Sequence, residues 1–529
     1  MRLRIRLPLT RTPVPIMSSS PAPTIYARRR RGADPSQRGR YDTLTSGVAP
    51  GYAGPVTDEP SRKRRLLLRS GKSPFDTGSL EDALHRDVFA TNTGNLIFSD
   101  AAHKILTTPR TDVFSNGIRA VPSEAERINE EYDVFVVPLA NAFRPTFERP
   151  LARMTQLIRK LRIPVVVLGV GAQAPLAYDA ERLKPMEPTV RQFVTAVLDR
   201  SASIGVRGEF TARYLADMGF RDVEVIGCPS MFLNGATFAL TKRQGPLTAE
   251  SRIAVNGSHS AVRAHGLDAI IRRAHGRYPH LRFIGQNLLE AELLHWRETP
   301  HPDGAQTSMP THPSHPMYRE DKVRLYIDPV TWIGELRDFD FSFGSRIHGN
   351  IAALLAGVPS TVLCSDSRTL ELCRYFEIPH RRISEVPDTV DPAELYEAAD
   401  FGGLVNGHEE RFLRFIGFLE RNGLENTFTH GDGGAAFDAR LAGVALPPAV
   451  RPWIGNDPEA LSARFGWLRG RMEELAAHNA ELRGRLAGRT SPVGVRIQIG
   501  QGAGTLPTVY RRARRVVGRP VRKLLRPEE

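Results

Sequence analysis

The chain has 529 residues, long enough for two domains plus tails. Hydrophobic residues make up 41% and charged residues 25%, as in ordinary globular proteins, and no apolar run reaches the roughly 18 residues of a membrane-spanning helix. The net charge of +14 sits at the ends: residues 1–72 hold 16 Lys/Arg against 4 Asp/Glu and residues 505–529 hold 8 against 2, leaving the middle at −4, so a body specific for nucleic acid is excluded.

Three spread cysteines, Cys228, Cys364 and Cys373, form neither a disulfide framework nor a zinc pattern and read as small buried hydrophobes. Residues 1–80 are rich in Arg, Pro, Ser and Gly without periodicity, and a disordered basic tail is expected there. The cluster Arg28 to Arg31 reads as a solvated block. No sustained apolar stretch precedes Pro13 and Pro15, which argues against a signal peptide, and Met17 is an alternative start. A cytoplasmic location is expected.

From Asp87 onward, strand, turn and helix alternate. Val88-Phe89-Ala90 is expected as a strand leading into Asn92-Thr93-Gly94-Asn95 and a helix through Leu106. Val134 to Val137 ends at Pro138, with Asn141 beyond. Pro164 to Val170 leads to Gln173, Ile204 to Val206 leads to Arg207, and Val223 to Ile226 leads to Gly227. Apolar strands alternating with helices imply a parallel sheet covered on both faces, whose ligand-facing residues follow the strand C-termini. Asn92, Asn95, Asn141, Gln173 and Arg207 fall at such places. This N-terminal Rossmann-like domain is expected over 81–235, with a linker near 234–250.

A second Rossmann-like domain is expected over 251–425. Its strands are Ile253 to Asn256, Leu281 to Ile284, Tyr326 to Asp328, Phe339 to Phe343 and Thr361 to Leu363, with Asn256, Gln286 and Arg346 at strand ends. Thr299 to Pro316 reads as an exposed loop, because His301, His312 and His315 lack metal-ligand spacing. The segment Phe341 to Asn350 joins a buried strand, a glycine turn and an apolar helix that ends at Gly357-Val358-Pro359. Arg346 offers a bidentate fork, His348 a proton or hydrogen bond, and the helix-start N–H groups around Ile347 and Gly349 complete an anion site.

Between 455 and 490, Leu461, Phe465, Leu468, Met472, Leu475, Asn479, Leu482 and Leu486 are spaced 4, 3, 4, 3, 4, 3 and 4. That is a heptad seam with Asn479 at an a position, suited to a parallel homodimer through 461–486. The alternative is an amphipathic helix packed on its own body, and Gly466, Gly470 and Gly484 weaken the helix in either case. The tail 491–529 is basic, and 509–526 interleaves cations with apolar residues in a way that suits peripheral contact with an anionic membrane face.

The Ser345-Arg346-Ile347-His348-Gly349 turn, followed by an Ala/Leu-rich helix, resembles the polysaccharide pyruvyl transferase family. Asp366-Ser367-Arg368 with Leu370, Val206-Arg207 with Thr211, and Gly227-Cys228-Pro229-Ser230 match its further motifs in order, across roughly Asp87 to Gly423. The chain departs from the family at Asn92-Thr93-Gly94-Asn95, where the family usually carries aspartate at the last position. The resemblance implies an α/β fold with two Rossmann-like domains facing a cleft, the glycosyltransferase-B-like architecture, here with a C-terminal helical extension. It implies transfer of the enolpyruvyl carbons of phosphoenolpyruvate to a sugar of a cell-surface polysaccharide or its lipid-linked precursor, as a ketal, with phosphate released and no cofactor or metal. Arg207 and Arg346 would hold the donor's anionic groups, with His348 near the phosphate or acting as proton donor.

Two alternatives remain open at this level. A nucleotide-sugar glycosyltransferase shares the two-domain shape and would need a ribose-binding carboxylate in the second domain, for which Glu371 could be mistaken. A sugar-binding protein with a decayed site is the other, motivated by Asn95.

Overall fold

Twelve short strands among the described residues build two parallel sheets. The computed structural model describes residues 62–258, 261, 266–297, 309–455 and 457–488. The segment Met1–Ser61, including the Arg28 cluster, lies outside the described residues, as do His301 and the basic segment 509–526.

The first sheet holds β1 (Arg64–Leu68), β2 (Thr111–Ser115), β3 (Val134–Pro138) and β4 (Val165–Leu168) in the order β2-β1-β3-β4. The pair β5 (Ile204–Val206) and β6 (Val223–Val225) continues it through a bridge between Val170 and Val206. The second sheet holds β7 (Ile253–Asn256), β8 (Arg282–Gly285), β9 (Val323–Leu325), β10 (Phe341–Gly344), β11 (Ser360–Cys364) and β12 (His380–Arg382), ordered β12-β11-β10-β7-β8-β9. Every pair within these sheets is parallel. The order reverses between β1 and β3 in one sheet and between β7 and β10 in the other, which opens a ligand crevice at the strand C-termini there.

Helices cover both sheets. Those that build the site are α1 (Leu80–Arg86), α2 (Gly94–Leu106), α3 (Glu209–Asp217), α4 (Leu288–Trp296), α5 (Ile347–Leu355) and α6 (Ser367–Phe376); α7 (Pro458–Gly488) ends the described chain. Helix α2 is buried along nearly its whole length, its polar Ser99, Asp100, His103 and Lys104 included. Its Ile97, Ala101 and Ile105 share one apolar cluster with Leu66 and Leu68 of the first sheet and Ile351 and Leu354 of α5, so a single core runs across both halves. The fold is thus α/β with two Rossmann-like parallel sheets in a glycosyltransferase-B-like arrangement, followed by a long C-terminal helix.

Several local expectations are corrected. The stretch up to residue 80, expected as a structureless tail, contains β1. Leu66 and Leu68 face one core and Leu67 the other, while Arg65 covers the rings of Phe114 and Tyr132, so the arginines that open this interior strand belong to the folded sheet. Val88-Phe89-Ala90 forms no strand. It follows the left-handed cap of α1 at Asp87, and Ala90 and Thr91 also have positive φ, which turns the chain sharply into Asn92. The strand expected at Tyr326 to Asp328 lies earlier, at β9, because Asp328 caps the Pro329–Leu336 helix by accepting from Val330 and Thr331. The helix His408–Arg421, expected within the second domain, crosses back: Phe415 stacks on Phe232, and Asn422 just beyond it donates to the Ser203 hydroxyl of the first half at 3.0 Å. All three cysteines are buried and free.

Candidate active site

The strand-end logic places one cation deep in the first wall. Arg207 follows β5, and its backbone N–H donates to Val170 at 2.9 Å, fixing it to the sheet. The side chain is 1% exposed, and its Nε and Nη2 have no hydrogen-bond partner among the described residues. Burial pulls this guanidinium below its ordinary pKa, although it stays a cation at neutral pH.

The second wall is the turn from β10 into α5. Asn256, at the end of β7, accepts from the Arg346 N–H at 2.8 Å, and the Arg346 Nε donates to the Gly257 carbonyl at 3.2 Å. Asn350 locks the turn by donating to Gly344 and Arg346 carbonyls at 3.1 and 2.9 Å, while Ser360 donates to its oxygen at 2.9 Å. Ile347 points into the shared apolar core, so only its backbone is available to a ligand.

His348 stands between the walls. Its ring stacks near Phe98 of α2, with centroids 6.4 Å apart, and its Nε2 lies 3.6 Å from the Cys228 Sγ, which is 2.8 Å from the Ser230 hydroxyl. Glycine at position 94 is what lets α2 approach: a Cβ there would lie 2.6 Å from the His348 Cβ. Burial, followed by the nearby charges of Arg207 and Arg368, pushes the His348 pKa down to about 3. The imidazole is therefore neutral in the free protein.

A patch of amides adjoins it. Gln286 follows β8, its carbonyl accepts from Thr93 at 2.7 Å, and its buried Nε2 has no partner among the described residues. A Cβ at Gly349 would lie 2.5 Å from that Nε2 and 2.8 Å from the Asn256 Nδ2, so the helix start is open to both amides. Asn92 pairs with Asn287 across the halves and accepts from the Gly94 N–H at 2.9 Å. Asn95 turns the other way: its Nδ2 donates to the Phe89 and Ala90 carbonyls at 3.1 and 3.4 Å, closing the turn before α2 rather than facing the crevice.

Several functional candidates come from α6, from which sequence reasoning draws only Glu371, and that for the alternative glycosyltransferase reading. Its Ser367 and Ala174 exchange two hydrogen bonds across the halves, at 2.8 and 3.0 Å. Glu371 is buried and accepts from the Thr211 N–H at 3.0 Å and hydroxyl at 2.8 Å, so its carboxylate caps α3 from the opposite domain. Burial raises its pKa to about 7 against the opposing pull of those bonds. Arg368 is steered by Asp366 at 2.8 Å. With the Asn141 amide oriented to satisfy its neighbours, its oxygen accepts from Arg144 and Arg368, both at 3.1 Å. The Gln173 amide lies 2.7 Å from that of Asn141. The cations acting on His348 are thus Arg207 and Arg368, while the Arg346 side chain reaches toward Gly257. The signal available for Arg368 was its place in a helix start directly after β11. Among the described residues no group of three His, Cys, Asp or Glu is arranged to hold a metal.

A family model described as polysaccharide pyruvyl transferase matches residues 92–367, just over half of the chain. No curated protein matches at a significant level. Solved structures are similar at low identity. A UDP-GlcNAc 2-epimerase from Methanocaldococcus jannaschii, in complex with UDP-GlcNAc and UDP, is 12% identical over 72% of this chain and 99% of its own, with a TM-score of 0.33. The glycosyltransferase SnogD from Streptomyces nogalater is 13% identical over 72% and 99%, with a TM-score of 0.28.

Proposed function

The chain belongs to the polysaccharide pyruvyl transferase family, and on that premise we propose that it transfers the enolpyruvyl carbons of phosphoenolpyruvate to a sugar as a cyclic ketal and releases phosphate. The acceptor is a sugar of a cell-surface polysaccharide or of its lipid-linked precursor. The observation that carries this reading is Arg207, a buried guanidinium with two unpartnered nitrogens beside His348 and Arg368.

The donor carries a carboxylate and a phosphate, and both need cations in a water-poor crevice. Arg207 and Arg368 meet one anionic group beside His348. Arg346, with the α5 helix start and the Asn256 and Gln286 amides, receives the other. Burial first, and the charges of Arg207 and Arg368 second, hold His348 neutral; the donor's anionic groups offset those charges and pair with the imidazolium, which favours its protonation when the donor is in place. His348 then delivers that proton to the methylene carbon, and the adjacent carbon becomes cationic. A sugar hydroxyl oxygen bonds to that carbon and returns its proton to the neutral His348 imidazole. A second hydroxyl displaces phosphate by cleavage of the carbon–oxygen bond, and its proton leaves with the phosphate.

Glu371 weighs against a nucleotide-sugar glycosyltransferase, because both of its oxygens are committed to Thr211 and are not available to a ribose. Asn95 likewise offers little support for a decayed site, since it closes a turn on its own backbone. The protein works as a peripheral enzyme at the inner membrane face in this reading, with 509–526 as the contact, and no described helix is long and apolar enough to cross a membrane. Incubation with phosphoenolpyruvate and a panel of galactose, glucose and mannosamine derivatives tests it. Acceptor-dependent phosphate release is expected, and none with any acceptor would count against it.

A further inference from the structure

Helix α7 carries two stripes, and only one of them is used by the body. Arg464, Trp467 and Arg471 face inward: Arg464 donates to the His295 carbonyl at 3.1 Å, the Trp467 ring lies 5.9 Å from Trp296, and Arg471 meets the His85 imidazole at 2.6 Å. These contacts hold the first half of the helix against α1 and α4. The 4-3 seam from Phe465 to Leu482 lies on a different face. Phe465 is 58% exposed, Leu468 40%, Met472 70%, Leu475 54% and Leu482 41%.

From Met472 onward every side chain that is described is exposed. This second half is a helix without a body, and most helical stability in proteins comes from packing of an apolar face rather than from propensity. Gly484 weakens it further. An exposed apolar seam on a helix that cannot stand alone requires a covering surface.

We propose that a second copy of this chain covers the seam, forming a parallel two-stranded coil from Leu461 to Leu486. The stripe is confined to a and d positions, the width of a coiled-coil seam, and is too narrow for a helix lying in lipid. All four d positions are Leu. Asn479 is the one polar residue in the seam, and in a parallel pair it meets its own copy at the same level, where the two amides bond each other. The flanks tolerate this pairing. Opposed residues are Arg464 with Arg469, Arg471 with Ala476, and His478 with Arg483, so two arginines oppose each other only once, and there Arg464 is already turned to His295. Glu473, Glu474 and Glu481 lie away from the seam and specify no acidic or basic partner of another kind. The two bodies then sit at the same end of the coil.

Sedimentation and light scattering of the full chain at micromolar concentration test this directly. Twice the chain mass is expected, held or strengthened by added salt, because the one opposed arginine pair is screened. A Leu468→Glu/Leu475→Glu variant, altered only at exposed positions, should melt as the parent does yet have a single chain's mass. An Asn479→Cys variant should form a covalent dimer on mild oxidation, since the native cysteines are buried. A monomer throughout would overturn the proposal. So would a dimer indifferent to the double substitution, an Asn479→Cys dimer that does not cross-link, or a monomer that binds phosphatidylglycerol vesicles through Leu468 and Leu475.

Discussion

Glu371 of α6 bonds both the N–H and the hydroxyl of Thr211 at the start of α3, so one buried carboxyl ties the two halves together beside Arg207. Its pKa is raised to about 7 from 4.5, which means the folded protein holds a proton that the unfolded chain has lost. The stability this group contributes is present in full below about pH 4.5 and is lost as pH rises through about 7. Glu371→Gln should therefore gain stability over the parent as pH is raised from 5 to 8, by on the order of 1–3 kcal/mol. Urea unfolding at the two pH values measures the gap. A gap that stays constant would show that Glu371 does not titrate in this range.

Donor affinity should rest on the arginines. Arg207→Ala, Arg368→Ala and Arg346→Ala should each weaken phosphoenolpyruvate binding by on the order of 2–4 kcal/mol, since each removes a charge-assisted contact from a desolvated site. Arg346→Lys should not rescue, because a point charge cannot replace the fork. Calorimetry reads the affinity, and an unchanged value for Arg207→Ala would remove that residue from the donor site.

His348→Gln should fold and bind the donor while turnover falls by roughly 10²–10⁴. The His348 pKa of about 3 adds a sign that can be checked. The unfolded chain binds a proton near pH 6.5 and the folded one does not, so this group's burial costs stability as pH falls from about 6.5 toward 3. The variant should lose that part of the acid sensitivity. Unfolding curves between pH 4 and 7 decide it, and equal acid sensitivity in both proteins would mean His348 is not held neutral.

Asn95→Asp, which restores the family's usual residue, should destabilise the protein rather than improve it. A carboxylate cannot donate to the Phe89 and Ala90 carbonyls. Losing those bonds costs about 1–3 kcal/mol, more than the roughly 0.3–1 kcal/mol a charge gains near a helix N-terminus. A thermal melt is sufficient, and a stabilised variant would show that the Asn95 bonds matter less than the dipole.

Strand ends were legible in sequence because parallel strands are continuous apolar runs with polar residues just beyond, which is how Asn256, Gln286, Arg207 and Arg346 were found. β1 was not legible, since Arg64 and Arg65 merge with the basic stretch before them and the place of Arg65 in the sheet depends on Phe114 and Tyr132. Arg368, read only as part of a motif, and Glu371, weighed only as a ribose-binding carboxylate, were not placed in this site for another reason. They join the site only because α6 reaches across to Ala174 and Thr211, a contact that no local pattern encodes. The seam of α7 was visible as a 4-3 repeat. The stripe that docks it on the body was not, because Arg464, Trp467 and Arg471 read as a mixed polar face.

Ligand-dependent melting of the intact protein and of Arg207→Ala tests the central claim most directly. Phosphoenolpyruvate alone should raise the melting temperature of the parent, as any ligand that binds only the folded state does, and should leave Arg207→Ala unmoved. Stabilisation by nucleotide-sugars with no response to phosphoenolpyruvate would contradict the account.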